Sequence, residues 1–201
     1  MGSRIKFVFS DIGGVLFDEK GTDYLVSKYN LDPESFKVSR QKYLKDAIVG
    51  KTSPEEMFRL TTLNMGKEVN ITEYNSIWCA NSHPYLESHE MLEKISHKYP
   101  VGLLTNIVKD TLGEYRKNNL YPDLDYKTII QSAEVGYAKP DKQIYEIAER
   151  ESIFSGSEIF FIDDLKPNIE TAEKMGWTGF WFDRKNREES IKKILELLEI
   201  F

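Results

Sequence analysis

From His89 onward, short apolar runs alternate with amphipathic stretches, and few folds accommodate that alternation. Val101–Thr105 (VGLLT), Lys127–Gln131 (KTIIQ), Glu158–Asp163 (EIFFID) and Thr178–Phe182 (TGFWF) have the length and the β-branched and aromatic content of buried strands. A helix is expected before each: His89–Tyr99, near Asp110–Asn118, Asp141–Glu151, and Pro167–Met175 closed by Gly176. A last amphipathic helix, opened by Asn186 and Glu189, carries Ile191, Ile194, Leu195 and Leu198. Strands in regular alternation with helices predict a parallel sheet with helices on both faces.

One further strand, Ile5–Ser10 (IKFVFS), stands apart near the start. Between it and the alternating part, from about Phe17 to Leu86, the pattern is helical and holds no convincing strand. Ser53-Pro54-Glu55-Glu56 predicts a helix start, with Ser at the N-cap, Pro in the first turn and Glu closing a capping box. Another helix is expected from Thr72 through Tyr74, Ile77 and Trp78. The reading is therefore an α/β fold: a Rossmann-like, three-layer parallel-sheet core from residues 1–16 and 87–201, with residues 17–86 inserted as a separate α-helical cap.

At 201 residues, 40% hydrophobic and 30% charged, the chain can bury a real core. No apolar run approaches the roughly 20 residues of a membrane span, and the opening MGSRIKFVF lacks the apolar centre and cleavage site of a signal peptide. The single cysteine, Cys79, excludes an intrachain disulfide and a cysteine-rich zinc site, and a cytoplasmic setting is expected. A net charge of −6 with interspersed signs argues against a nucleic-acid partner but not against a small anionic one, since a local pocket can be positive.

In such sheets ligands bind beyond the carboxyl ends of the strands. The first strand ends in Asp11-Ile12-Gly13-Gly14-Val15, the second in Thr105-Asn106, and the fourth in Asp163-Asp164; Gly136-Tyr137-Ala138-Lys139-Pro140-Asp141 follows the third. If the first and fourth strands are neighbours, Asp11, Asp163 and Asp164 crowd together and raise one another's pKa. A hard divalent cation resolves that repulsion, and an all-oxygen set with few protein ligands suits Mg²⁺ holding a substrate phosphate. Lys139 adds positive charge, and the Thr105 hydroxyl, the Asn106 amide and the N–H groups of the glycine turn can hold phosphate oxygens. Asp11 is then placed to attack phosphorus and form an aspartyl-phosphate for water to hydrolyse.

In their order and spacing, DIGGV, LLTN, the lysine of GYAKPD, and FIDD resemble the four motifs of the haloacid dehalogenase-like hydrolase superfamily, in the branch with a helical cap after the first strand. The resemblance implies Asp11 as nucleophile and metal ligand, and the Gly13 carbonyl as a further ligand. It implies Thr105 and Asn106 as phosphate contacts and Lys139 as stabiliser of nucleophile and phosphate. Asp163-Asp164 would hold Mg²⁺, Asp164 directly and Asp163 directly or through water. The expected activity is Mg²⁺-dependent hydrolysis of a small phosphorylated metabolite, with sugar phosphates foremost.

The pattern breaks at Gly13, where phosphatases of the superfamily usually carry a second Asp as acid and base. Losing such a group costs about 10²–10⁴-fold. Three readings follow: a substrate with a good leaving group, a substitute acid such as Asp18 or a cap residue, or a phosphate-binding scaffold with little turnover. A haloacid dehalogenase is a further alternative, against which the Asp163-Asp164 pair counts, because that chemistry needs no metal. His83, His89 and His97 lack a zinc pattern, and only His83, where the cap rejoins the core, invites a test. Trp78, Trp177 and Trp181 read as packing residues, Cys79 as inert, and Tyr24, Arg40, Tyr43 and Lys45 as candidate substrate contacts from the cap.

Overall fold

The computed structural model describes residues 4–200, so the outermost residues of the expected core segments, 1–3 and 201, lie outside the described part. Five strands form one parallel sheet: β1 (Phe7–Ser10), β2 (Val101–Thr105), β3 (Thr128–Gln131), β4 (Ile159–Asp163) and β5 (Thr178–Trp181), in the spatial order β3-β2-β1-β4-β5. Between β1 and β2 run α1 (Gly21–Lys28), α2 (Pro33–Ile48), α3 (Pro54–Asn64), α4 (Tyr74–Ala80) and α5 (Leu86–Ser96). Next come α6 (Leu112–Lys117), the short α7 (Ser132–Val135), α8 (Lys142–Ser152), α9 (Lys166–Lys174) and α10 (Arg187–Leu197). The short α7, directly after β3, is absent from the sequence pattern, four residues being too few to show a period.

The strands divide their side chains between two apolar layers, as period-two pleating requires. Val8, Leu103, Phe160 and Ile162 face one cluster with Met91, Leu92 and Ile95 of α5 and Ile194 of α10. Phe7, Phe9, Leu104 and Phe161 face the other, with Ile144 and Tyr145 of α8 and Ile169 and Ala172 of α9. Each fully buried Phe, Ile or Leu contributes about 1.5–3 kcal/mol, and both faces are filled, giving the expected three layers. Gly102 of β2 is required by this packing: a Cβ there would stand 2.6 Å from the Phe9 ring.

The helical segment after β1 joins the first layer rather than standing off from it. Phe17 meets Trp78 and Tyr115 edge-on at centroid distances of 5.8 and 5.0 Å, so aromatic rings bridge α4 and α6. Where the chain enters and leaves this segment, it pairs with itself: Asp18 N–H donates to His83 O at 2.9 Å and Tyr85 N–H to Leu16 O at 2.8 Å. Ser53 caps α3 by accepting from Glu56 N–H at 3.1 Å, but the expected capping box is half made. The Glu56 carboxylate turns instead to Arg59, accepting at 2.7 and 2.8 Å, because a bidentate guanidinium outcompetes one backbone N–H. The helix expected from Thr72 begins at Tyr74, with Glu73 at the N-cap position making no side-chain cap, and Asn186 spends its amide on Asp183 rather than on α10.

Candidate active site

Pairing of β1 with β4 brings Asp11 and Asp163-Asp164 to one edge of the sheet. Each carboxylate offers an oxygen within 4.8 Å of the others, and all three residues are buried. Asp11 Oδ1 accepts from Ile12 N–H at 2.8 Å, which fixes the carboxylate at the head of the turn. Its Oδ2 lies 3.1 Å from Lys139 Nζ. That ammonium is fully enclosed and donates to Asp163 Oδ2 at 2.7 Å and to Leu104 O at 2.6 Å.

Burial is the main force pushing Asp11 up to about 8, opposed by Lys139 and reinforced by Asp163 and Asp164. Burial likewise pushes Asp164 up to about 6, against the pull of Arg184. Lys139 shows the reverse balance: burial works to lower it, but Asp11 and Asp163 hold it above its ordinary value. Three crowded oxygen donors, two of them held back from ionising, fit a hard divalent cation, which would relieve the desolvation that a single lysine only partly offsets. The Gly13 carbonyl, expected as a further ligand, belongs to the same turn, where Gly13 bridges to Phe17.

The two acids of the pair differ in what they already hold. Asp163 accepts from Leu165 N–H at 2.8 Å and from Asn168 Nδ2 at 3.0 Å to both oxygens, besides Lys139. Asp164 Oδ2 is clasped by Arg184 through both Nε and Nη2, and Arg184 Nη2 also donates to Glu19 Oε2 at 3.0 Å. Gly14 makes room for this arginine: its φ of +75° suits glycine, and a Cβ would stand 2.3 Å from Arg184 Nε.

Thr105 is buried at the end of β2, the strand that pairs with β1. Asn106 is already occupied: Nδ2 donates to Lys139 O, and Oδ1 accepts from Lys139 N–H, both at 2.8 Å. Its amide thus aligns the backbone that carries Lys139. Asp18 is tied at the junction, accepting from His83 N–H at 2.9 Å and Lys20 N–H at 3.3 Å. His83 itself is exposed beside Asp18, at 3.5 Å, while His89 Nε2 lies 3.0 Å from Leu16 O and serves the core.

Arg184, Glu19 and Asn168 were not singled out by the sequence. The strand-end rule that located the four other positions applies equally to β5, which leads through Phe182 and Asp183 to Arg184. Trp181 corrects an expectation: it is 41% exposed and not a core residue. Its Nε1 donates to Asp164 O at 2.8 Å and Lys166 Nζ stands 4.5 Å over its ring, so it supports the site's backbone from outside. Trp78 and Trp177 are buried as expected, and burial pushes the Cys79 thiol up to about 12, which keeps it unreactive.

A cleft of about 210 Å³ opens beside Asn106 and Leu165, between the helical segment and the sheet edge. Leu44, Ile48, Trp78, Tyr115, Ile107 and Val108 supply much of its apolar wall. Of the four candidate contacts from the helical segment, Arg40 lines it; Tyr24, Tyr43 and Lys45 do not. Arg40 Nε and Asn75 Oδ1 are themselves buried, without a hydrogen-bond partner among the described residues.

Residues 8–181 match the family model described as haloacid dehalogenase-like hydrolase. Among curated relatives, an (S)-2-haloacid dehalogenase of Pseudomonas fluorescens is 23% identical, the match covering 88% of this chain and 86% of that protein. A sesquiterpene phosphatase of Aspergillus oryzae is 25% identical over 89% of this chain and 90% of its own length. The fold is similar to that of a mutant HAD family enzyme from Bacteroides thetaiotaomicron in complex with magnesium and inorganic phosphate, with a TM-score of 0.69 at 23% identity, covering 90% of this chain and 95% of that one.

Proposed function

The chain belongs to the haloacid dehalogenase-like hydrolases, and we propose that it is a Mg²⁺-dependent phosphatase of a small phosphorylated metabolite, working through an aspartyl-phosphate on Asp11. The observation that carries this reading is the buried triad of Asp11, Asp163 and Asp164 around the enclosed Lys139 ammonium. Asp11, Asp164 and the Gly13 carbonyl would hold the metal, with Asp163 behind them. When bound, Mg²⁺ supplies positive charge to phosphate oxygens and lets Asp11 ionise. Lys139 keeps Asp11 Oδ2 oriented, and the Thr105 hydroxyl with the Gly13 N–H receives the phosphoryl oxygens, the Ile12 and Gly14 N–H groups being spent on Asp11 Oδ1 and Phe17 O. Asn106 contributes by fixing Lys139 and borders the phosphate on the cleft side.

The helical segment 17–86 serves as a cap whose cleft reads the rest of the substrate. A sugar phosphate is the narrower candidate, but the cleft favours a less polar body. Sugar hydroxyls set against Leu44, Ile48 and Val108 would lose hydration without gaining partners. An apolar portion fits that wall, with the Arg40 and Asn75 side chains as polar neighbours at its edge. No helix of the described residues is long and apolar enough to cross a membrane, and a cytoplasmic enzyme without nucleic-acid or membrane partners is part of the same reading.

The dehalogenase relative supports a second reading, displacement of halide from carbon by the same Asp11. Three crowded carboxylates weigh against it, since that chemistry uses a single nucleophilic carboxylate and gains nothing from a repelling pair. Phosphate release from acetyl phosphate, p-nitrophenyl phosphate and glucose 1-phosphate, with and without Mg²⁺, decides between them. Mg²⁺-dependent turnover lost in Asp11→Asn is expected; chloride release from 2-chloropropionate without metal would establish the alternative. Phosphate and Mg²⁺ binding without turnover would establish a scaffold.

A further inference from the structure

Hydrolysis of the proposed aspartyl-phosphate requires a base that the residues assigned so far do not include. As water attacks phosphorus it must lose a proton, and a placed base is worth about 10²–10⁴-fold. Asp11 carries the phosphoryl group at that stage. Asp163 is saturated by Lys139, Asn168 and Leu165. Asp164 belongs to the metal set and to Arg184. Asp18 is held by backbone N–H groups at the junction, with its side chain 13% exposed.

Glu19 is placed differently. Its Oε2 accepts from Arg184 Nη2 at 3.0 Å, and that same guanidinium holds Asp164, so a single guanidinium separates the Glu19 carboxylate from the triad. Its Oε1 lies 3.5 Å from the point where a Cβ on Gly13 would stand. Glu19 also lines the cleft between the helical segment and the sheet edge. The space left open by the absent side chain at position 13 is therefore reached from residue 19.

Resting on the phosphatase reading, we propose that Glu19 is the general base that activates water against the aspartyl-phosphate. In the first half-reaction an Asp11 oxygen bonds to phosphorus, and the bond from phosphorus to the leaving oxygen breaks, its electron pair departing with that oxygen. In the second, the water oxygen bonds to phosphorus and its proton passes to Glu19 Oε1. The bond from phosphorus to the Asp11 oxygen breaks with its pair returning to the carboxylate, and Glu19 releases the proton to solvent. Glu19 takes no part in the first half-reaction, and the leaving group departs unaided, as the acyl group of an acyl phosphate does.

Rapid-quench trapping with ³²P-labelled acetyl phosphate and Mg²⁺ separates the two halves. Glu19→Gln is expected to accumulate phosphoenzyme while steady-state turnover falls about 10²–10³-fold. Gly13→Asp, whose Cβ meets only an ordinary contact, is expected to restore roughly tenfold in the Glu19→Gln background by supplying a carboxylate to the same space. Turnover of Glu19→Gln within about threefold of wild type would overturn the proposal. So would loss of phosphoenzyme formation together with turnover, uncorrected by Gly13→Asp. A wild type that forms no phosphoenzyme from any donor would overturn the phosphatase reading, and this proposal with it; a defect confined to the variant's first half-reaction overturns the proposal alone.

Discussion

Asp11 and Asn106 show how much of this site is settled atom by atom. Asp11 is pushed up to about 8 chiefly by burial, whereas an unfolded chain would leave it near its ordinary 3.8. Between those values the folded state binds a proton at Asp11 that the unfolded state does not, so the contribution of Asp11 to stability is fullest below pH 4, declines as pH rises and is lost above 8. Metal-free protein is expected to lose melting temperature between pH 5 and 8, at about 2–4 °C per kcal/mol for a chain of this size. Asp11→Asn should flatten that slope and Mg²⁺ should reverse it; a metal-free melting profile unaffected by Asp11→Asn would contradict the assigned cause. Asn106 spends both ends of its amide on the Lys139 peptide. Asn106→Ala strands two backbone groups at about 1–3 kcal/mol each if buried. It should lower both the melting temperature and kcat, with the loss in kcat persisting at saturating substrate because Lys139, not substrate affinity, is disturbed.

At the level of elements, the strands and their ends were legible because apolar runs of four to six residues bounded by polar turns have one economical reading. The order β3-β2-β1-β4-β5 then turned four separate sequence positions into one site. What stayed hidden was the traffic between ends. Arg184 follows β5, and nothing local distinguishes Asp183-Arg184-Lys185 from a solvated loop. Its role emerges only when pairing of β4 with β5 sets it over Asp164. Glu19 was hidden for the same reason, reading as one charge in the run Asp18-Glu19-Lys20. The arginine also implies a competition. A cation at Asp164 has to share or displace the Arg184 contact, whose side chain is 39% exposed and so worth only about 1 kcal/mol after screening. Arg184→Met is expected to bind Mg²⁺ roughly fivefold more tightly. Trp181, hydrogen-bonded to Asp164 O, is positioned to report the titration by its emission. Unchanged or weaker binding would show that Arg184 supports the metal set instead.

Across the whole molecule, the two apolar layers divide the work unequally. The layer beneath α8 and α9 is closed by β1 and the alternating part, without a residue of the helical segment. The opposite layer runs without a break from β1 through Phe17, Trp78 and Tyr115 into Met57 and Phe58 of α3. The helical segment is therefore fastened to the rest of the fold through a patch of aromatic contacts and the paired crossing at residues 16–18 and 83–85, with the Glu19–Arg184 pair, the Asn75–Lys109 hydrogen bond and the packing of α2 on α7 beside them. Trp78 is central to that patch: it meets Phe17 and Tyr115, donates from Nε1 to Thr22 Oγ1 at 3.0 Å, and walls the cleft. Trp78→Ala removes packing worth about 3–5 kcal/mol where it stands, but the second layer does not share the loss. Amide exchange over α1–α4 should accelerate while β1, β2 and β4 stay protected, which is sub-global opening rather than general unfolding. Because the triad and Lys139 sit on the sheet side while Glu19 belongs to the helical segment, phosphoenzyme formation from acetyl phosphate should suffer less than phosphoenzyme hydrolysis or the turnover of any larger substrate that fills the cleft. Uniform acceleration of exchange across sheet and helices would mean that the helical segment and the sheet unfold as one unit, and that substrate reading and chemistry cannot be separated by loosening this contact.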